Sequence, residues 1–478
     1  MRRIFNHIKN NKIMIIIMFL LYVSSICFWY DDTNSNIIHS INIWKSLFSG
    51  DFFHYYSYNI ESYHQGLTSH QGGYEVFLYL FVSIWQFPLF VLEKIVGGNI
   101  IESFFAKAWA KIFFVIMVYL CYFQIKRICN YLKLSERTTF VISVLSCSSS
   151  FIITSVCIVS QIDIVGLFFV LLSFNCFIQN KEKQFILFFV LATLCKAFSL
   201  FIFIPLILLK EKKITRIVIM CLVPVLAIYI FNLPFSLLDP EGVLCKIEPT
   251  STLIYGLLLS RIPLFGRTIP LIFLGYAGLG IYCYLKDISS EKKEVQQYWY
   301  VYIAVVASLI FTLMVESPYR NIYIVPFFMI AFFYNKENQR RRLFVLTIAN
   351  LSMTIGLLIR FPYCSDYQFM KNMLIDCVLP LRKFELMGLE QISSYMMSPE
   401  MGDIWLFFYA IFVMWAVGFC IMNRPNRIFS QAEEKSEYVE EITNKDLAYY
   451  VGVNYVICNI SVILFAVMVI RNIILKFI

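Results

Sequence analysis

Residues 28–56 read FWYDDTNSNIIHSINIWKSLFSGDFFHYY and follow directly on an apolar run that begins at Ile13. Two adjacent carboxylates, Asp31 and Asp32, stand where that run ends. Beyond them Ile37, Ile38, Ile41, Trp44, Leu47 and Phe48 recur at three- and four-residue steps, with Ser40, Asn42, Lys45 and Ser46 between. This period predicts an amphipathic helix suited to lying in the interface plane of a bilayer, ended by Gly50. Capping that helix needs one carboxylate, not two, and Ser35 is better placed for the task. An ionisable residue at a membrane boundary, at the start of a long aromatic loop, is therefore a candidate for chemistry.

Composition supplies the membrane. The chain of 478 residues is 59% hydrophobic and 15% charged, with a mean hydropathy of +0.71. Apolar stretches long enough to span a bilayer recur along it, and they predict an all-α polytopic protein of about 13 transmembrane helices. The segment from Ile13 to Tyr30 follows MRRIFNHIKNNK without a small-residue cleavage site, and reads as an uncleaved first span with a cytoplasmic N-terminus. Basic clusters such as Lys126/Arg127, Lys210/Lys212/Lys213 and Arg340/Arg341/Arg342 sit in short connections, which places those connections in the cytoplasm. The net charge of +9 then reflects topology and gives no reason to expect nucleic acid. Alternation leaves the run 74–96 without a crossing, so it is expected to lie on or dip into the outer leaflet, interrupted by Pro88.

Three long connections face outside in this topology: 31–104, 236–267 and 362–402. The first is the one dense in polar chemistry. Residues 1–335 are expected to form the catalytic membrane core, and 336–478 to add further transmembrane helices and a polar cytoplasmic linker at 425–447. Most of the 14 cysteines fall in spans. Cys245, Cys364 and Cys377 face outside, with Cys364–Cys377 a candidate disulfide, and no CxxC pair occurs.

The order of these features resembles the GT-C glycosyltransferases, membrane enzymes that use polyprenyl-phosphate-linked sugars and include the protein O-mannosyltransferases and the lipid A aminoarabinose transferases. There a carboxylate opening the first external loop is the catalytic base, as Asp31 or Asp32 would be here. SQIDIVGLFFVLLSF (160–174) is similar to the family's glutamine–acid element at the start of the fourth span. LATLCKAFSLFIFIPLILLKEKK (191–213) is similar to its short hairpin with a lysine at the tip, and ESPYRNIYIVPFFMIAFF (316–333) resembles its external Glu/aromatic-Arg element. The likeness covers about 1–335. The lysine–proline–proline element of one branch is absent, and SHQGGYEVFLYLF (69–81) stands in its place.

The resemblance implies a sugar transferred from a polyprenyl-phosphate donor to a glycan, lipid or protein acceptor, on the outer face of what is expected to be a bacterial plasma membrane. Such a reaction needs a base for the acceptor hydroxyl and cations for the departing phosphate. Asp163 would be a second carboxylate, with helix capping as its simpler account. Lys196, Arg320, Lys107 and Lys111 would meet the phosphate; for Lys107 and Lys111 snorkelling or headgroup contact is the simpler account. Gln161 and Glu316 complete the expected substrate-binding set. Four of the five histidines, His39, His54, His64 and His70, fall in the first loop, and His64 and His70 flank QGLTS, where donor phosphate or acceptor would lie. Their spacings match no familiar zinc pattern. No cofactor is expected, with a metal ion left open.

Two other classes fit a polytopic chain. A polysaccharide polymerase or ligase is expected to carry Arg-rich external loops and no acid at the exit of the first span. A transporter or lipid flippase is expected to show repeat symmetry and charged residues in mid-span. The first loop here is marked instead by acids and histidines.

Overall fold

The computed structural model describes residues 12–26, 28, 31–96, 100–244, 261–264, 267–312, 321–360, 404–434, 444–460, 462, 463, 467 and 474. Arg320, Glu316, Cys245, Cys364 and Cys377 lie outside them, as does the connection 362–402 expected to face outside. The described chain is helical apart from one antiparallel pair, Arg261–Leu264 with Arg267–Pro270, in which Arg261 faces Pro270. That ladder is a small departure from the all-α expectation, placed where the chain re-enters the bundle before its next helix.

The first helices are α1 (Lys12–Ile26), α2 (Asp31–Phe48), α3 (Tyr55–His64), α4 (Val76–Val96), α5 (Phe104–Tyr131) and α6 (Glu136–Cys147). After a wide turn come α7 (Asp163–Ile178), α8 (Glu182–Cys195), α9 (Phe198–Lys210) and α10 (Ile214–Leu238). The chain continues with α11 (Leu271–Leu285), α12 (Lys293–Thr312), α13 (Ile324–Tyr334), α14 (Gln339–Arg360), α15 (Ile404–Met422), α16 (Pro425–Glu434) and α17 (Asn444–Cys458). Seven stretches are long and apolar enough to cross a membrane: Val76–Val96, Phe104–Tyr131, Glu136–Ile158, Ile214–Leu238, Lys293–Thr312, Gln339–Ile359 and Ile404–Met422. Shorter apolar helices lie among them, at Met14–Ile26, Asp163–Ile178, Ser199–Lys210, Ile272–Leu285 and Ile324–Tyr334. This is the pattern of a multi-pass membrane protein.

Helix α2 differs from its expected role. It begins at Asp31, so Ser35 lies inside the helix and hydrogen-bonds Ser69 Oγ at 3.1 Å instead of capping. The first part of its apolar stripe turns into the protein, while Leu47 and Phe48 at its end stay exposed. Ile37 and Ile41 are fully buried, in a cluster with Leu89 and Phe90 of α4 and Ala106 and Ala110 of α5. The polar face is buried too, at Asn36, His39, Ser40, Asn42 and Ser46. The physical reason is that α4 packs along the apolar face of α2, while α3 and the turn at Ser160 cover the polar one. Trp44 reaches across to Phe87 with ring centroids 4.7 Å apart, and Lys45 pairs with Glu93 at 3.0 Å.

Pro88 does not interrupt α4, which runs continuously from Val76 to Val96. A proline within a helix removes one backbone donor and displaces the turn before it. At that turn the Trp44 indole donates to the Ser83 carbonyl at 2.8 Å, so an external donor steadies the weakened ladder. Trp85 and Trp109 then stack at 4.6 Å, and each indole donates to the other's carbonyl, which fastens α4 to α5. Helix α3 is held to the end of α10, where Asp239 accepts from the Ser57 amide at 3.0 Å and from its hydroxyl at 2.7 Å.

The bundle closes on α7, which packs against α5 and α8. Gly166 of α7 lies under the Tyr323 hydroxyl, and a β-carbon there would come within 2.4 Å of that oxygen. Tyr323 is 3% exposed and has little room to retreat. Gly166→Ala should therefore destabilise the protein by about 1–3 kcal/mol through overpacking. The loss should shrink in a Tyr323→Phe background, where the clashing oxygen is gone. Thermal unfolding of the purified variants measures both, and an unchanged Tm for Gly166→Ala would contradict this close approach.

Candidate functional site

The site is built around a turn that the sequence does not announce. After α6, Ser149 caps a short helix, and residues Ile153–Ile158 widen into a π-helical turn. Its ladder runs five and six residues back: Val159 N donates to Thr154 O at 3.0 Å and Gln161 N to Ser155 O at 2.8 Å. The late carbonyls of this turn are met by a side chain. Lys111 Nζ of α5 donates to Cys157 O at 2.7 Å and Ile158 O at 3.1 Å. Ser160 then adopts φ +63°, a left-handed conformation uncommon outside glycine. That single twist reverses the chain and starts α7 at Asp163.

Two residues of α2 hold the twist. Thr33 Oγ1 and Ser160 Oγ share a hydrogen bond of 2.9 Å, and Asn36 Nδ2 donates to the Ser160 carbonyl at 2.8 Å. The N-terminal turn of α2 is thereby fixed against the start of α7, and Gln161 Nε2 donates to Asp32 Oδ2 in a short contact. Gln161 Oε1 in turn accepts from the Tyr74 hydroxyl at 2.8 Å. Beyond Tyr74 stands Lys196, whose ammonium lies 4.5 Å from the Tyr74 ring centroid and closes an ion pair with Asp163. The result is a continuous polar chain, Asp32–Gln161–Tyr74–Lys196–Asp163, drawn from four separate segments.

Lys196 sits between α8 and α9 with extended backbone, φ −159° and ψ 126°. Its side chain is 14% exposed and that of Asp163 is fully buried. Asp163 is not a helix cap: its side chain makes no cap bond, and Ile162 holds the cap position. One of its oxygens, Oδ2, is buried and meets no hydrogen-bond partner among the described residues. A buried acceptor left unmet is costly unless a ligand or water supplies a donor. The Tyr323 hydroxyl donates to the Asp163 carbonyl at 3.3 Å, so the pair is steadied from α13's side as well.

The loop 65–75 brings the histidines. His70 Nδ1 accepts from the Gly72 amide at 3.1 Å, which leaves Nε2 as the protonated nitrogen of the neutral ring, 4.0 Å from Asp32 Oδ1. Gly72 is required twice over. It adopts φ +76°, and a β-carbon would lie 2.8 Å from Asn59 Nδ2 and 3.3 Å from the His39 ring. His64, in contrast, is exposed at the end of α3, and no contact joins it to this cluster among the described residues.

The other expected site residues divide. Asp31 is the first residue of α2, while Asp32 is the carboxylate the structure ties into the polar chain. Lys107 and Lys111 do not snorkel: they are 2% and 0% exposed on the inner face of α5. For Lys111 the reason is the π-turn, whose displaced carbonyls need a donor inside the protein, so Lys111 is a structural anchor. Among the described residues no group of three or more His, Cys, Asp or Glu side chains is placed to hold a metal ion. Tyr74, Ser160, Asn36 and Tyr323 were missed by sequence reasoning. Thirty tyrosines in one chain hide the two that matter. The run of small polar residues from Ser146 to Gln161, set in an apolar stretch, was the available signal for the turn.

With this geometry in hand, known proteins offer no parallel: no family model matches the chain, and neither a curated protein nor a solved structure does.

His39 gives the site a pH signature. Its ring is fully buried, 5.0 Å from that of His70, and neither nitrogen meets a hydrogen-bond partner at bonding geometry among the described residues. Burial, then the charge that His70 can carry, push its pKa down to about 3. The unfolded chain takes up this proton near its ordinary value of about 6.5, and the folded chain does not. The stability tied to neutral His39 is thus complete above about pH 6.5 and is lost as pH falls toward about 3, at up to about tenfold in the unfolding constant per unit. His39→Leu should flatten the fall in Tm between about pH 6.5 and 5. An unchanged slope would show that the acid sensitivity does not arise from His39.

Proposed function

We propose that the protein is a membrane glycosyltransferase that moves a sugar from a polyprenyl-phosphate donor to a glycan, lipid or protein acceptor, with its site on the extracytoplasmic face of a bacterial plasma membrane. The observation that carries the reading is the convergence of Asp32, His70, Gln161, Tyr74, Lys196 and Asp163 at the junction of α2, the 65–75 loop, the start of α7 and the α8–α9 connection. A carboxylate and an ammonium are what transfer from a lipid phosphate asks for, held a few side chains apart beside the exit of the first span. The remaining spans expected from the sequence, to a total of about 13, would complete a GT-C-like bundle around it.

Asp32 is the base. It takes the proton of the acceptor hydroxyl as that oxygen attacks the anomeric carbon. The bond from that carbon to the phosphate oxygen breaks, and its electron pair leaves with the phosphate, so the anomeric centre inverts. Gln161 holds the carboxylate in place, and the His70 N–H supports its charge. Lys196 meets the negative charge that grows on the departing phosphate, where a point cation is effective. Asp163 fixes Lys196, and its unpaired oxygen offers an acceptor for a substrate hydroxyl. Arg320 and Glu316 remain expected contributors on the sequence pattern alone. No step calls for a cofactor.

The test is transfer of labelled sugar from a panel of polyprenyl-phosphate sugars into acceptors of native membranes. Asp32→Asn keeps shape and removes the proton acceptor, so it should abolish transfer while donor binding persists. Lys196→Ala should slow transfer by about 10²–10³-fold. Near-normal transfer by Asp32→Asn would move the base to Asp31 or Asp163. No sugar transfer by the unaltered protein with any donor would overturn the reading in favour of a polymerase, ligase or transporter.

A further inference from the structure

The face of α2 that turns away from Asp32 opens on a second cavity. Asn34, Ile38, Asn42 and Lys45 recur at three- and four-residue steps, so they share one side of the helix, while Asp32, Asn36 and His39 share another. The first set lines a cavity of about 310 Å³ between α2, α3 and the end of α4. That volume lies at the small end of ligand sites, about 300–1,000 Å³. Glu61 of α3, Gln65 just beyond its end, Glu93 of α4 and Glu102 complete its polar wall, and Tyr58 adds an aromatic residue.

The hydrogen bonds of this wall are unbalanced. Asn42 is 2% exposed, and its amide nitrogen is spent on Tyr58 O, Asn59 Oδ1 and Ser62 Oγ. Asn34 Oδ1 and Glu93 Oε2 are buried and meet no hydrogen-bond partner among the described residues. The lining side chains of Asn34, Asn42, Glu61, Gln65 and Glu102 bring further acceptors to the cavity, which a ligand that donates would satisfy. Donors are present as well: Lys45, which pairs with Glu93, and the Gln65 amide, which donates to Glu61 at 3.0 Å.

We propose that this cavity is a binding site for a neutral saccharide, separate from the site at Asp32. Hydroxyl groups both donate and accept, and so satisfy a wall that presents both functions. The three carboxylates repel an anionic sugar or a phosphate. The Tyr58 ring offers an apolar surface to the C–H face of a pyranose. Occupancy needs no transfer chemistry, so the proposal stands or falls independently of the function proposed for Asp32.

The experiment is saturation-transfer NMR on the full chain in phospholipid nanodiscs, which avoids detergents with sugar heads. The probes are glucose, galactose, mannose and rhamnose, with glucuronate and putrescine as charged counterparts. At least one neutral sugar should bind in the millimolar range while glucuronate and putrescine do not. Glu61→Ala and Gln65→Ala lie on the exposed rim at the end of α3, and thermal unfolding checks that each stays folded. Each should weaken binding by at least about tenfold. Binding kept at full strength in both rim variants would overturn the proposal, because the sugar would then occupy another site. Binding of putrescine alone, or of none of the sugars, would overturn it as well.

Discussion

A single ammonium in the interior sets the conditions for everything around it. The π-helical turn at 153–158 shifts backbone acceptors out of register, and within a membrane bundle there is no water to meet them. Lys111 reaches two of those carbonyls from α5. With them satisfied, the chain can twist at Ser160, offer its carbonyl and hydroxyl to α2, and start α7 with Asp163 facing inward. Replace the ammonium with an apolar group and two buried acceptors lose their partner, with a cost of several kcal/mol in lipid. The twist would have nothing to hold its approach, and Asp32 would lose the glutamine that orients it.

The same turn ties the outer elements to the bundle. α2 is held at its N-terminal end through Thr33 and Asn36, along its length by α4, and beyond its C-terminal end by the turn at Gly50. α3 follows and is tethered to Asp239 across the molecule. The loop 65–75 can then lay Gly72 against His39 and Asn59, which fixes His70 and Tyr74 beside Asp32. None of these groups is placed by its own segment alone. Precision at the site is a property of how the segments interlock.

Much of this was legible in the sequence. The helix that opens at Asp31 and Asp32 was read from local pattern, because charged groups beside an apolar run stand out, whereas Gln161, Asp163 and Lys196 were singled out with the help of the resemblance. What pattern could not show was which surface covers which. The stripe Ile37, Ile38, Ile41 and Trp44 carries the same period whether it faces lipid or a neighbouring helix, and α4 decided that. Lys107 and Lys111 look like boundary residues until a structure shows the carbonyls that hold Lys111 inside. The small polar run up to Gln161 hints at a turn but not at the left-handed serine at 160, which Thr33 and Asn36 hold from more than a hundred residues earlier.

The α8–α9 hairpin carries a consequence for how the protein is made. Its helices have 14 and 13 residues, or about 21 and 20 Å each against a hydrocarbon core of about 30 Å. Neither can settle across a bilayer by itself as it leaves the ribosome. The two must partition together, as one folded pair, with Lys196 carried in at the bend. That lysine is tolerable there only once Asp163 waits for it, and Asp163 belongs to the helix synthesised just before. The order of residues along the chain thus doubles as an order of assembly: the acid is laid down first, and the base is delivered to it by insertion of the hairpin.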